Sequence, residues 1–349
     1  MNTLTIALAS LGGVVLAGVI AHGAWQSRKA GPKRAAPDTV PAPPPRAEPT
    51  LGAASIAGST AESPPGALDP RPPRRASPRL DALIDAIAPL VVEAPLAAEM
   101  VLVHQPTSRR AGAKLFFIEG LNAETGEWEA PAPGQRYGEF QAGVQLANRT
   151  GALNEIEYSE FVQKVQAFAE AIGAMADFPD MLDVVARARE LDAFAGEHDA
   201  QLAVHLQARA SAWSVGYIQQ HASRHGFVAG VVPGRLVLPS ADEGAPPVLT
   251  LTFDSQAAFA DDPGRAAVRD VTLSFDVPQT DPKAEPFIAW QASAQALSLG
   301  MDAAIVDDAG QPLSPAGFAA IGNELGQLYA KLESRDLAAG TAAARRLFS

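Results

Sequence analysis

Residues 1–27 hold no Lys, Arg, Asp or Glu, and from Leu4 to Ala21 the only polar side chains are Thr5 and Ser10. A run like this has no place on a solvated surface. Extended to Trp25 it is 22 residues long, and about 20 helical residues at 1.5 Å each cross a bilayer core. His22 and Trp25 then fall at one interface, where a ring with a polar edge is stable. A cleaved signal peptide needs positive charge ahead of its apolar stretch, and Met1-Asn2-Thr3 supplies none. The cations come after the run, at Arg28, Lys29, Lys33 and Arg34. That asymmetry predicts a transmembrane anchor over residues 1–27, spanning at residues 4–25, with the N-terminus outside and the rest of the chain in the cytoplasm.

The next segment excludes itself from any core. Thirteen of the chain's 29 prolines lie in residues 28–79, in stretches such as Pro41-Ala42-Pro43-Pro44-Pro45 and Pro70-Arg71-Pro72-Pro73-Arg74-Arg75. Proline at this density blocks helix and central strand and favours solvated polyproline II. These residues carry a net charge of +5, against −17 for residues 80–349. They read as a disordered basic linker, whose 52 residues reach on the order of 160 Å at full extension. Its cations also suit anionic lipid, at about 1 kcal/mol per nearby charge.

The remaining 270 residues are acidic, and the whole chain is at −12, which argues against nucleic acid as partner. There is no cysteine, so disulfides, thiolate metal sites and a cysteine nucleophile are excluded. Periodicity predicts strands at Leu115–Ile118, Phe140–Leu146, Gln201–Gln207, Phe227–Val232, Leu236–Leu238, Val248–Phe253, Val271–Val277 and Ala304–Val306. It predicts helices over residues 156–172, 181–194, 213–223, 284–299 and 315–333. Ser314 is placed to cap the last of these and Pro315 to open it. Strands with one apolar and one polar row imply an α+β fold, an antiparallel β-sheet with helices packed on one face and the other face open. Strand, polar turn and long helix recur over Phe140–Ile172 and Val271–Leu299, the pattern of a partial duplication.

Catalytic motifs are missing. His221 and His225 share a helix face, but no acidic residue completes a metal-ligand motif beside them. Asp307-Asp308-Ala309-Gly310 and Asp261-Asp262-Pro263-Gly264 read as turns. No Gly-x-Ser-x-Gly elbow and no phosphate-binding glycine loop is present. No catalytic residue, metal, cofactor or small-molecule substrate is expected.

His22-Gly23-Ala24-Trp25-Gln26-Ser27-Arg28-Lys29 resembles the start of the bacterial cell division protein ZipA family. The layout of anchor, basic Pro-rich linker and C-terminal α+β domain is similar. Further resemblance lies in Val271-Thr272-Leu273-Ser274-Phe275-Asp276-Val277-Pro278, Gln291-Ala292-Ser293-Ala294-Gln295, Ile305-Val306-Asp307-Asp308 and Leu313-Ser314-Pro315. It covers residues 3–34 and 199–333, and residues 80–198 have no counterpart. The division this gives is anchor 1–27, linker 28–79, an additional α/β region 80–198, a ZipA-like domain 199–335 and a tail 336–349.

The resemblance implies a divisome protein of the bacterial inner membrane that ties FtsZ polymers, the Z ring, to the cytoplasmic face at the division site. The family's domain takes the FtsZ C-terminal peptide in a shallow apolar groove on the open sheet face. Carried over by strand position, the partner-binding residues here are Ala203 and His205 on the first strand, Val232 on the second, Thr250 and Thr252 on the third, and Thr272 and Ser274 on the fourth. Several of these positions are apolar or aromatic in the family, with Ser274 standing for an aromatic ring. Three consequences stay open: a weaker, more polar contact; apolar surface lent by residues 80–198, with Phe116, Phe117 or Trp128 as candidates; or a different division or envelope partner. A membrane-tethered enzyme with its site in residues 80–198 is the remaining alternative.

Overall fold

The computed structural model describes residues 79–242, 244–258 and 267–349. The anchor, the linker up to residue 78 and the Asp261–Gly264 turn lie outside the described residues. Among the described residues no helix is long and apolar enough to cross a membrane.

Two antiparallel sheets follow one another along the chain. The first contains β1 (Asp85–Ala97), β2 (Lys114–Asn122), β3 (Arg136–Gln145) and β4 (Met175–Ala176), in the order β2-β3-β1-β4. Two-residue strands at Arg110–Ala111 and Trp128–Glu129 pair with β2. Its helices are α1 (Ala98–Val103), α2 (Glu155–Ile172) and α3 (Met181–His198). The second sheet contains β5 (Gln201–Ala208), β6 (Val228–Ala229), β7 (Arg235–Leu238), β8 (Leu249–Thr252), β9 (Asp270–Asp276) and β10 (Ala303–Val306), in the order β6-β7-β8-β9-β5-β10. Its helices are α4 (Val215–Ser223), α5 (Pro286–Met301) and α6 (Pro315–Glu333).

The halves share a connectivity. In each, the opening strand lies between the strand that precedes a long helix and the short strand that follows it: β1 between β3 and β4, β5 between β9 and β10. A second long helix then closes the unit. The α+β class and the packing of helices on one sheet face are as the alternation implies.

Local chemistry sets the helix ends. Asn154 accepts from the amides of Ile156 and Glu157, while Glu157 reaches back to Asn154, a reciprocal cap that starts α2. From there Phe161, Val165, Phe168 and Ile172 recur on one face and are buried against Phe116, Phe140 and Val144 of the first sheet. Ser314 accepts from the Gly317 amide at 3.1 Å, with Pro315 in the first turn of α6. In the second half Trp290 of α5 donates its indole N–H to the Leu273 carbonyl at 2.9 Å, fixing helix to sheet, and Trp213 donates to Met301 at 2.8 Å.

One expectation is corrected. Residues 336–349 are not a tail. Thr341 caps a final helix α7 (Ala342–Leu347), and Leu337, Leu347 and Phe348 are buried with Ile84, Ala147 and Ala195 of the first half. Arg346 of α7 forms a fork with Asp85 of β1, at 2.5 and 2.8 Å, with the carboxylate fully buried. Gln145 also donates to the Arg346 carbonyl at 2.6 Å. The strand β1 has no counterpart in the strands expected from alternation. Its inward row is Ala86, Ala88 and Leu90, two of them small, and its outward row includes Pro89.

Candidate functional site

The second sheet turns its Leu and Val row, including Val204, Leu251 and Leu273, toward α4, α5 and α6. The other row faces away from those helices. Its pairing lines up Val237–Thr250–Ser274–Ala203 and, one step along, Arg235–Thr252–Thr272–His205–Val306. Ala203, His205, Thr250, Thr252, Thr272 and Ser274 are therefore brought together on one face, as strand position implied.

Two of the seven predicted residues differ from expectation. Val232 is not on the second strand. The segment Val232-Pro233-Gly234-Arg235 is a tight turn, closed by the Arg235 amide donating to the Val232 carbonyl at 3.1 Å. Proline sets the second position of such a turn, and Gly234 supplies the third with φ 79°. A Cβ at Gly234 would come within 2.7 Å of the Phe253 carbonyl oxygen. The strand expected over Phe227–Val232 shrinks to Val228–Ala229, leaving Val232 in the hairpin loop, 54% exposed. Ser274 lies on the right face but is only 5% exposed, with the Gln201 amide 3.3 Å from its hydroxyl. It is a floor residue, not a contact point.

At the β6–β7 end the face opens into a groove of about 510 Å³, lined by Val231, Val232, Val237, Pro239 and Pro247, with Arg235 on its wall. Val231 is fully exposed. Because Arg235 and Val237 pair with Thr252 and Thr250, the groove is continuous with the threonine face. Arg235, Val237 and Val231 were not singled out from sequence; the alternation of Arg235-Leu236-Val237-Leu238 held the signal for the first two.

The β10 end is charged. His205 Nδ1 lies 3.0 Å from an Asp270 carboxylate oxygen and Nε2 lies 3.2 Å from one of Asp308. The hydrogen bond to Asp270, and more weakly that to Asp308, hold the imidazole's pKa above its ordinary value against partial desolvation. Asp307 accepts from the amides of Ala309 and Gln311, so the expected turn forms and presents Asp308 to His205. A third edge meets the first half: Arg149 donates to Asp199 at 2.6 and 2.8 Å and bridges to Asp276 of β9 at 2.8 Å.

The aromatic candidates of residues 80–198 belong to the first sheet. Phe116 is buried in that half's core, which corrects its candidacy as a contact residue. Phe117 lies beneath the guanidinium groups of Arg79 and Arg346, and Trp128 is half-buried beside β2. Among the described residues no group of three His, Cys, Asp or Glu side chains is gathered as metal ligands. His221 lies against Tyr217 with the rings tilted at 46° and their centroids 4.4 Å apart.

No family model matches the chain, and no curated protein matches it. Among solved structures, the berberine bridge enzyme from Eschscholzia californica is aligned at 11% identity over 72% of this chain and 52% of its own, with a TM-score of 0.15. The chain thus spans about half of that enzyme's length, and a likeness this slight carries no argument.

Proposed function

We propose that the chain is a membrane-anchored binding protein of bacterial cell division that holds FtsZ polymers at the inner membrane by taking the FtsZ C-terminal peptide on the second sheet. The observation that carries this reading is an open antiparallel face leading into an apolar groove beside Arg235. An extended peptide lying there has exposed valines to cover and a guanidinium for a carboxylate. In this reading residues 4–25 supply location and the linker supplies reach. The multiplicity of tails on a polymer lets a weak single contact suffice.

The test is anisotropy of a labelled FtsZ C-terminal peptide titrated with residues 28–349. Micromolar binding that Val231→Asp weakens supports the reading, and no binding at 100 µM, roughly 5.5 kcal/mol, sinks it. A second reading, a scaffold for another division or envelope partner, is favoured by the charged end of the face, where His205 sits between Asp270 and Asp308. A peptide that fails to bind while the face still carries the chain to division sites selects that second reading.

A further inference from the structure

The shared connectivity gives the first half an equivalent face, turned away from α2 and α3. The start of the described chain already crosses it, row by row. Leu80 lies against Gly143 and Ile87: a Cβ on Gly143 would come within 2.6 Å of the Leu80 side chain. One row further, the backbone amides of Arg79 and Leu80 donate to the Glu119 carboxylate, and Gln141 donates to the same group at 3.0 Å. The Arg79 guanidinium covers the Phe117 ring at 5.6 Å. Toward residue 78 the next row is Leu121–Glu139–Val91, widened by Trp128 beside Leu121 and Met175 beside Val91. Val91 is 58% and Met175 77% exposed. Glu139 and Glu93 are exposed acids of this surface, and the nearby cation Arg136 is held by the Pro95 carbonyl at 3.0 Å.

We propose that this row is a docking site for the chain's own residues 71–78, Arg71-Pro72-Pro73-Arg74-Arg75-Ala76-Ser77-Pro78. Residue 78 joins the chain at Arg79, one row from the site, so the segment is delivered to it covalently. Its charge is +3, opposite in sign to the exposed Glu139 and Glu93 of the row. Proline rings fit the Trp128, Val91 and Met175 surface, and a polyproline segment is already extended before it binds. Guanidinium groups pair with Glu139 and Glu93 and stack on the indole. The docked segment shortens the free linker by eight residues and fixes the direction in which it leaves the body. The proposal is independent of which partner the second sheet takes.

The chain has no cysteine, so introduced pairs report proximity directly. The full chain in lipid nanodiscs is compared as Ala76→Cys with Val91→Cys, and as Ala57→Cys with Val91→Cys. Residues 79–91 belong to the folded body, so the free chain to the reference position is about seven times longer, which by closure entropy alone slows bridging about twentyfold. The expected result is an intrachain bridge formed about a hundredfold faster for the first pair, with the excess over the closure baseline lost in Arg74→Glu/Arg75→Glu. Met175→Cys in place of Val91→Cys, also at an exposed position, gives the same ordering. A ratio of about twentyfold or less, a bridge between two chains, or an excess that survives the charge reversal would overturn the proposal.

Discussion

At the scale of single residues, three side chains carry distinct roles. His205 gains carboxylate partners on folding, so its folded pKa is raised. Its contribution to stability is therefore fully present below about pH 6.5, the unfolded value, and is lost as pH rises through the higher folded value. An NMR titration of the imidazole is expected to give a midpoint above about 6.5, and Asp270→Asn to lower it; a midpoint at or below the ordinary value contradicts the geometry. Arg346 neutralises a buried carboxylate whose pKa burial pushes up and Arg346 pulls down. Arg346→Met is expected to cost about 3 kcal/mol at pH 7, read by urea unfolding, because it leaves that charge unpaired. The penalty shrinks as pH falls and Asp85 takes up a proton, and Asp85→Asn in the same background recovers part of it. Val231 is fully exposed, so its replacement removes little buried surface. Val231→Asp leaves stability within about 0.5 kcal/mol, while the lost apolar contact weakens peptide binding by about tenfold, near 1.5 kcal/mol.

At the scale of elements, α7 is the piece whose removal is most consequential. Ending the chain at Gly340 exposes the sites of Leu347 and Phe348, at about 2 kcal/mol each, and leaves Asp85 unpaired. Calorimetry of that truncation is expected to show a large fall in melting temperature, where a dispensable tail would show none. The long elements of the fold were legible because their chemistry is local. The cap at Asn154, the spacing from Phe161 to Ile172 and the alternation of Val271–Val277 each occur within a few residues. What escaped was set at a distance. β1 is inscribed in alanines and interrupted by Pro89, and its strand character comes from its neighbours. The six residues of α7 are too few to show a period, and their burial depends on Ile84 and Asp85 more than 250 positions earlier. The site shows the same division. The threonine rows follow from alternation. Val232 left its strand because Pro233-Gly234 imposes a turn, and Ser274 is buried on the expected face with its hydroxyl 3.3 Å from the Gln201 amide.

At the scale of the whole molecule, the two halves are joined by α7, by the cluster around Ile84, Leu337 and Phe348, and by Arg149 between Asp199 and Asp276. Residues 79–349 are expected to unfold in one transition, with fluorescence and circular dichroism coincident, and to split into two once α7 is removed. In the proposed function this body holds FtsZ polymers at the membrane. The most direct measurement is co-sedimentation of residues 28–349 with polymerised FtsZ, with and without the last residues of FtsZ. The expected result is that the body pellets with intact polymers and stays in the supernatant when the tail is removed. A body that stays in the supernatant with both, or pellets equally with both, would contradict it.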